Sequence, residues 1–203
     1  MARAETPKQG RPPVSSAEEV QRQAMRLFLE QGFDRTSMTD VAAAAGIGRT
    51  TLFRYFRSKG DIVLAPFDEH LRHLARRLAT QPTDLPVMTA VHSAVVDAFA
   101  EAVDDQDVWL QRFQVLQQTG ALAADVAVRW LTWADTVGRY VALRTGKEAD
   151  HPEPAAVGGA MQAAFAATLR TWLRTPDLNG DVALLMAESL RPVTEALTPL
   201  TRH

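Results

Sequence analysis

Apolar residues recur at intervals of three and four along most of this 203-residue chain. The first clear stripe runs through Val20, Ala24, Leu27 and Phe28, and Gly32 follows it. This spacing is typical of an amphipathic helix with one buried face. No segment shows the sustained alternation of a strand or the turn of a hairpin. The pattern therefore predicts an all-α protein of about nine helices.

Helix-start residues, glycines and prolines set the expected bounds of these helices. Ser16 and Glu19 can form a capping box for the first helix, which we expect to reach about residue 31. A long helix is expected to begin near Ser58, to end near Thr80 and to kink at Pro66, which cannot donate a backbone hydrogen bond. Further helices are predicted at about 84–104, 106–118, 121–145, 154–175 and 179–197.

Two short helices separated by a glycine are predicted between residues 37 and 57. Ser37 and Asp40 can cap the first of them, and Gly46 can adopt the left-handed conformation that ends it. Ile47 and Leu52 can then close the turn over the first helix. This layout is that of a helix-turn-helix, whose second helix enters the major groove of DNA.

The second helix carries cationic, hydroxyl and aromatic side chains on its outward face. An arginine can donate two hydrogen bonds to guanine, a threonine methyl can contact the thymine methyl, and a tyrosine hydroxyl can bind a phosphate. Backbone N–H groups after Ser58, together with Lys59, form a candidate phosphate site. For any single residue an ordinary solvated face is the alternative. The predicted DNA-binding residues are Ser37, Thr39, Arg49, Thr50, Thr51, Phe53, Arg54, Tyr55 and Lys59.

The stretch from about Glu18 to Ile62 resembles the N-terminal domain of TetR-family transcriptional regulators. The matching elements, in order and without gaps, are Leu27-Phe28, Gly32-Phe33, Thr36-Ser37, Val41-Ala42, Ala45-Gly46-Ile47, Thr51-Leu52-Phe53-Arg54-Tyr55-Phe56 and Ser58-Lys59. Three residues depart from the family pattern. Gly48 replaces the serine that is usual in the family, and Thr50 replaces a glycine or alanine. Phe53 replaces a tyrosine that often binds a phosphate. The resemblance implies a three-helix DNA-binding module at residues 17–61 and a larger helical bundle after it.

The charge distribution agrees with this division. The net charge is −2, but residues 1–61 carry ten Lys and Arg against seven Asp and Glu, whereas the remainder carries twelve against seventeen. The more basic end is the one expected to face DNA. There is no cysteine, so disulfides and thiol chemistry are excluded. Without a long apolar segment or a signal-peptide core, we expect a soluble, cytoplasmic protein.

Residues 1–16 are polar and contain three prolines. We predict a flexible basic tail, in which Arg3, Lys8 and Arg11 offer positive charge. Contact of this tail with a DNA minor groove is the alternative.

Residues 62–203 form the predicted effector-binding and dimerisation domain. Apolar and aromatic residues with a few polar groups among them can form a core or line a ligand cavity. The family resemblance implies a small hydrophobic effector, in a subgroup with acyl-CoA-like or other hydrophobic ligands. The candidate effector-binding residues are Phe67, His70, Leu74, Met88, His92, Trp109, Phe113, Trp130, Trp133 and Phe165.

The last two predicted helices suggest a homodimer. Small residues on the first of them, including Gly158 and Gly159, let another helix approach closely, and the second has an apolar stripe that a monomer leaves uncovered. A two-fold dimer places two recognition helices in successive major grooves of double-stranded DNA, which implies a palindromic operator. The candidate dimerisation residues are Gly159, Ala163, Ala167, Leu185 and Val193.

Other classes of function have weaker support in the sequence. His70 and His73, near Asp68 and Glu69, have a spacing that can bind one metal ion, but packing or solvent-exposed histidines fit better than a metal site. An all-helical enzyme would need a nucleophile with a paired base, which we do not find, and we expect no cofactor. A non-specific or architectural DNA-binding protein without an effector stays open. The function best supported is a ligand-responsive, sequence-specific DNA-binding regulator, most simply a repressor.

Overall fold

A computed structural model of the chain describes residues 16–103, 106–174 and 182–201. These residues form helices and no strand, which confirms the predicted all-α class. The predicted tail, apart from Ser16, lies outside the described residues. The helices are α1 (Ala17–Gln31), α2 (Met38–Ala44), α3 (Arg49–Tyr55), α4 (Lys59–Ala79), α5 (Val87–Ala102), α6 (Gln106–Gln118), α7 (Ala123–Thr145), α8 (Pro152–Arg174) and α9 (Val182–Leu197), followed by a 3₁₀ turn at Thr198–Thr201.

Side-chain caps begin the first, second and fourth helices as the sequence predicts. The Ser16 hydroxyl accepts a hydrogen bond from the Glu19 backbone N–H at 3.2 Å. Ser37 and Asp40 form a reciprocal capping box. α3 differs because Gly48 precedes it and offers no side chain. Between α2 and α3, Gly46 has φ +66°, the left-handed conformation that a tight turn between two helices requires.

The buried apolar side chains form two separate cores. The smaller core holds the apolar faces of α1, α2 and α3, and we call these three helices the head. Ile62, Val63 and Leu64 from the start of α4 belong to the smaller core, as do Val115 and Leu122 from α6 and the loop after it. The larger core is built from α4 to α9.

Two helices contribute to both cores. α4 is continuous through Pro66, with Ile62 in the smaller core and Leu74 in the larger one. Phe67 contacts Trp130, which packs against the larger core. α6 contributes Trp109 to the larger core and Val115 to the smaller. Helices are stiff, so a displacement of either one in the larger core is transmitted to the head.

α7 and α8 pack closely because of a glycine. A Cβ built on Gly158 would lie 2.1 Å from the carbonyl oxygen of Ala134, closer than any real side chain can approach. The sequence suggested Gly158 as part of a surface for a second helix. In the structure it is buried against α7 of its own chain, whereas a Cβ on Gly159 meets nothing within 4 Å.

Candidate nucleic-acid interface and ligand cleft

One face of α3 is buried and the other is open. Leu52 is fully buried in the head, while Arg49, Thr50 and Arg54 are exposed and Phe53 is 43% exposed. A seven-residue helix with one anchoring side chain thus presents a cationic and aromatic surface to solvent. This surface has the composition expected for contact with base edges and phosphates in a major groove.

Aromatic rings hold the two arginines of this surface. The Arg49 guanidinium carbon lies 5.8 Å from the centre of the Phe53 ring, and that of Arg54 lies 5.5 Å from the Tyr55 ring. Such cation–π contacts limit the rotamers of a long side chain. Tyr55 itself is half-buried and packs against the core of the head, and Thr51 is also half-buried.

Ser37 and Thr39 lie at the exposed start of α2. The Ser37 hydroxyl donates to Asp40 Oδ2 at 2.7 Å and accepts from the Asp40 backbone N–H. Hydrogen bonds from the side chain and then the backbone of Ser37 lower the pKa of Asp40. The Ser37 hydroxyl proton is therefore used inside the cap, and Thr39 has the more open hydroxyl of the two.

Lys59 has a structural role that local sequence patterns do not reveal. Its Nζ donates to the backbone oxygen of Phe33 at 2.6 Å and lies 4.5 Å from the centre of the Phe33 ring. It also lies 3.5 Å from the oxygen of Asp34. The ammonium group thus ties α4 to the loop after α1. A contact between Lys59 and a DNA phosphate stays a prediction. The ammonium that would make it is already bound to two backbone carbonyls.

Five of the predicted effector residues pack together in the larger core. The Phe165 ring is the centre of this group, with the centroid of Trp133 at 5.2 Å, of His70 at 5.6 Å and of Trp130 at 6.0 Å. Phe67 meets Trp130 edge to face at 4.9 Å. In this structure these rings pack directly against one another as part of the hydrophobic core. Their role in effector binding stays a prediction.

His70 is the polar member of this group, and both of its ring nitrogens have partners. Trp133 Nε1–H donates to His70 Nε2 at 3.1 Å, so Nδ1 carries the proton and faces the oxygen of Ala98 at 3.3 Å. Burial lowers the pKa of His70 to about 4, although the Ala98 contact acts in the opposite direction. The imidazole is neutral at pH 7 and links α4, α5 and α7.

The other predicted effector residues are dispersed. Leu74 and Met88 are buried in the larger core. His92 is half-buried, with Nε2 at 2.9 Å from the Ala187 oxygen. Trp109 and Phe113 are neighbours on α6 at 5.8 Å. Among the described residues, no group of three or more His, Asp or Glu side chains could hold a metal ion.

A cleft of about 410 Å³ opens where the head meets the larger domain. Of the predicted effector residues, Trp109 alone lines it. Sequence reasoning missed the cleft because its walls come from four helices, and in α1 its residues read as an ordinary polar face. The lining residues are Glu18, Gln21, Arg22, Pro66, Glu69, His73, Glu101, Ala102, Trp109 and Arg112.

The predicted dimerisation residues fall into two groups. Ala163 and Ala167 are exposed on α8, with the half-buried Gly159 on the same face. Leu185 and Val193 are half-buried and pack against the larger core of their own chain. The exposed small residues of α8 are thus available to a partner helix.

Comparison with known proteins agrees with this architecture. Residues 22–65 match the family described as bacterial regulatory proteins, tetR family, and residues 85–198 match the MftR C-terminal domain. The chain is 30% identical over 162 residues to a protein of Mycobacterium tuberculosis named as the mycofactocin biosynthesis transcriptional regulator MftR, covering 79% of this chain and 81% of that one. It is 26% identical over 183 residues to the HTH-type transcriptional regulator TcmR of Streptomyces glaucescens, covering 84% and 80%.

Solved structures show the same fold. Thermus thermophilus FadR, described as a transcriptional repressor in complex with lauroyl-CoA, aligns with TM-score 0.55 and 25% identity over 89% of this chain and 94% of that one. The SmeT–triclosan complex aligns with TM-score 0.62 at 18% identity, covering 87% and 90%, a likeness of fold alone. No helix among the described residues is long and apolar enough to cross a membrane.

Proposed function

The chain belongs to the TetR family of bacterial regulatory proteins and carries an MftR-type C-terminal domain, and from this premise we propose that it is a ligand-responsive repressor acting as a homodimer on a palindromic operator. That it is a transcriptional regulator follows from the family. Its operator, effector and dimeric state are the proposed parts, together with its place in the cytoplasm, where bacterial DNA lies.

The exposed surface of α3 supports sequence-specific reading. Arg49 and Arg54 are the proposed base contacts, because each guanidinium is exposed and lies against an aromatic ring. A guanidinium that forks onto guanine contributes about 1–3 kcal/mol of discrimination. Thr39, Thr50 and the partly exposed ring of Phe53 would complete the contact surface.

The small residues of α8 support a two-fold dimer. Gly159, Ala163 and Ala167 recur every four residues and leave room for the backbone of a second α8. An isologous contact of this kind relates two heads by a two-fold axis. Two α3 helices would then read two half-sites of a palindrome.

The two shared helices support ligand control of DNA binding. Because α4 and α6 have side chains in both cores, an effector that changes their packing in the larger domain changes the position of the head. Operator affinity then falls by a factor that is at most the ratio of the effector's affinities for the two positions of the head. A hydrophobic effector agrees with the lauroyl-CoA that FadR, a relative at 25% identity, binds.

The observation that carries this proposal is the exposed Arg49–Arg54 surface on a helix anchored by buried Leu52. Binding-site selection from genomic DNA with purified protein tests it. We expect a palindrome that is bound about 10³-fold or more tighter than a scrambled site, with an even number of chains per site by analytical ultracentrifugation. Equal binding to selected and scrambled DNA would instead favour a non-specific architectural protein.

A further inference from the structure

The cleft between the head and the larger domain has the features of a ligand site. Its volume of about 410 Å³ lies within the range of small-molecule pockets. Pro66, Ala102 and Trp109 give it apolar walls, and charged side chains converge from α1, α4, α5 and α6. The Trp109 indole N–H is fixed by a hydrogen bond of 2.6 Å to the Ala102 oxygen, so this wall is preformed.

The cationic side chains of the cleft already have anionic, polar or aromatic partners within the protein. Arg22 pairs with Glu19 at 2.7 Å, and Glu19 does not line the cleft. Arg112 donates to Gln21 Oε1 at 2.9 Å, and its guanidinium carbon lies 5.8 Å from the centre of the Trp109 ring. A bound anion would have to compete with these partners.

Three carboxylates line the cleft against two arginines, and two of these carboxylates, Glu18 and Glu69, are exposed. Glu101 pairs with Arg77 and lies 3.0 Å from His73 Nδ1. Glu69 lies 3.6 Å from His73 Nε2, and its side chain is 60% exposed. Glu18 stands on the opposite wall, and hydrogen bonds from the Ser16 side chain and then from its own backbone, with the nearby charge of Arg22, lower its pKa. The net field of these groups favours a cation.

We propose that this cleft binds an organic cation with an apolar body, held between the carboxylates of Glu18 and Glu69 and the wall formed by Pro66, Ala102 and Trp109. We further propose that binding lowers operator affinity, an effect that rests on the proposed DNA-binding function. The ligand would contact the head directly through α1, whereas the aromatic group around Phe165 lies in the larger core. Occupation would fix α1 relative to α4 and oppose the head position that fits DNA.

Two probes of similar shape and opposite charge test the ligand class. The full-length protein is titrated calorimetrically with 1-naphthylmethylammonium and separately with 1-naphthylacetate. We expect one cation per chain, bound at least tenfold tighter than the anion. Equal affinity for the two probes, or no binding of the cation at millimolar concentration, overturns the proposal.

Carboxylate variants test the site itself. Glu18→Gln and Glu69→Gln are each expected to weaken cation binding about three- to fivefold, the effect of one partly exposed ion pair, and the double variant more. Glu148→Gln, an exposed carboxylate in the loop between α7 and α8, is the control and should bind as the parent does. Unchanged affinity in the double variant overturns the site.

Operator affinity is measured with and without saturating 1-naphthylmethylammonium. We expect a loss of about fivefold or more in the parent and a smaller loss in the double variant at the same probe concentration. Unchanged operator affinity overturns the regulatory effect. If the protein selects no DNA site at all, the proposed function fails, while the calorimetric titrations still decide whether the cleft binds the cation.

Discussion

The head and the larger domain both combine aromatic rings with cationic or titratable side chains, but they place them oppositely. On α3, Arg49 and Phe53 contact each other at the surface. In the larger core, His70 and Phe165 stack out of contact with water. The exposed pair is free to meet a macromolecule, whereas the buried pair stabilises the fold. Similar residue types thus have different roles because of the elements that surround them.

Truncating the buried ring should have the largest effect on stability. Phe165 is 2% exposed and contacts four other rings. Phe165→Ala is expected to lower the free energy of unfolding by about 3–5 kcal/mol through lost burial and a cavity. Phe53→Ala, at an exposed ring, should change it by less than about 0.5 kcal/mol. Urea unfolding followed by circular dichroism checks both, and similar losses would contradict the comparison.

Acid should expose the buried histidine. The pKa of His70 is about 4 in the folded protein and about 6.5 in an unfolded chain. Between these values the unfolded state takes up a proton that the folded state does not, so stability falls as pH decreases from 6.5 to 4. The expected loss is about 3 kcal/mol. A glutamine can keep both hydrogen bonds but does not titrate. The unfolding free energy of His70→Gln should therefore fall by about 3 kcal/mol less than that of the parent between pH 6.5 and 4. Parallel pH profiles would contradict the assignment.

Two adjacent glycines in α8 differ in their surroundings, because one is packed closely against α7 and the other faces open space. Gly158→Ala must push α7 and α8 apart, because its Cβ would meet the Ala134 oxygen at 2.1 Å. We expect a loss of about 1–3 kcal/mol or more in unfolding free energy. Gly159→Ala meets nothing within its own chain, so α7 and α8 should pack as in the parent, and helix propensity should add up to about 1 kcal/mol, less the cost of the added methyl at a second α8. Thermal unfolding measures both changes, and a Gly158→Ala protein as stable as the parent would contradict the packing.

Lys59 has a structural role in the head and a predicted role in binding a DNA phosphate. Lys59→Met removes the ammonium that binds the Phe33 and Asp34 oxygens. We expect the free energy of unfolding to fall by about 1 kcal/mol. The slope of log affinity for DNA against log salt concentration should change by less than about one. A fall of about one in the salt slope with unchanged stability would show that Lys59 acts mainly on phosphate.

The sequence predicts the head in detail because its signals are local. Ser37, Asp40 and Gly46 determine the bounds of α2 within ten residues. The cleft beside Trp109 could not be predicted, since it depends on how α1 packs against α4 and α6. The same holds for Lys59, whose partner is 26 residues away. The sequence also does not tell Gly158 from Gly159, because their difference depends on the angle at which α8 packs against α7.

The measurement that tests the central claim most directly is the ratio of affinities for the selected operator and a scrambled site. It should be made for the parent and for the double variant Arg49→Ala/Arg54→Ala, with thermal unfolding as the control for the fold. We expect a ratio of about 10³ or more in the parent. In the double variant it should fall by at least about tenfold, since each base contact contributes about 1–3 kcal/mol, with unchanged thermal stability. An unchanged ratio, or equal losses on both DNA molecules, would contradict base reading by α3.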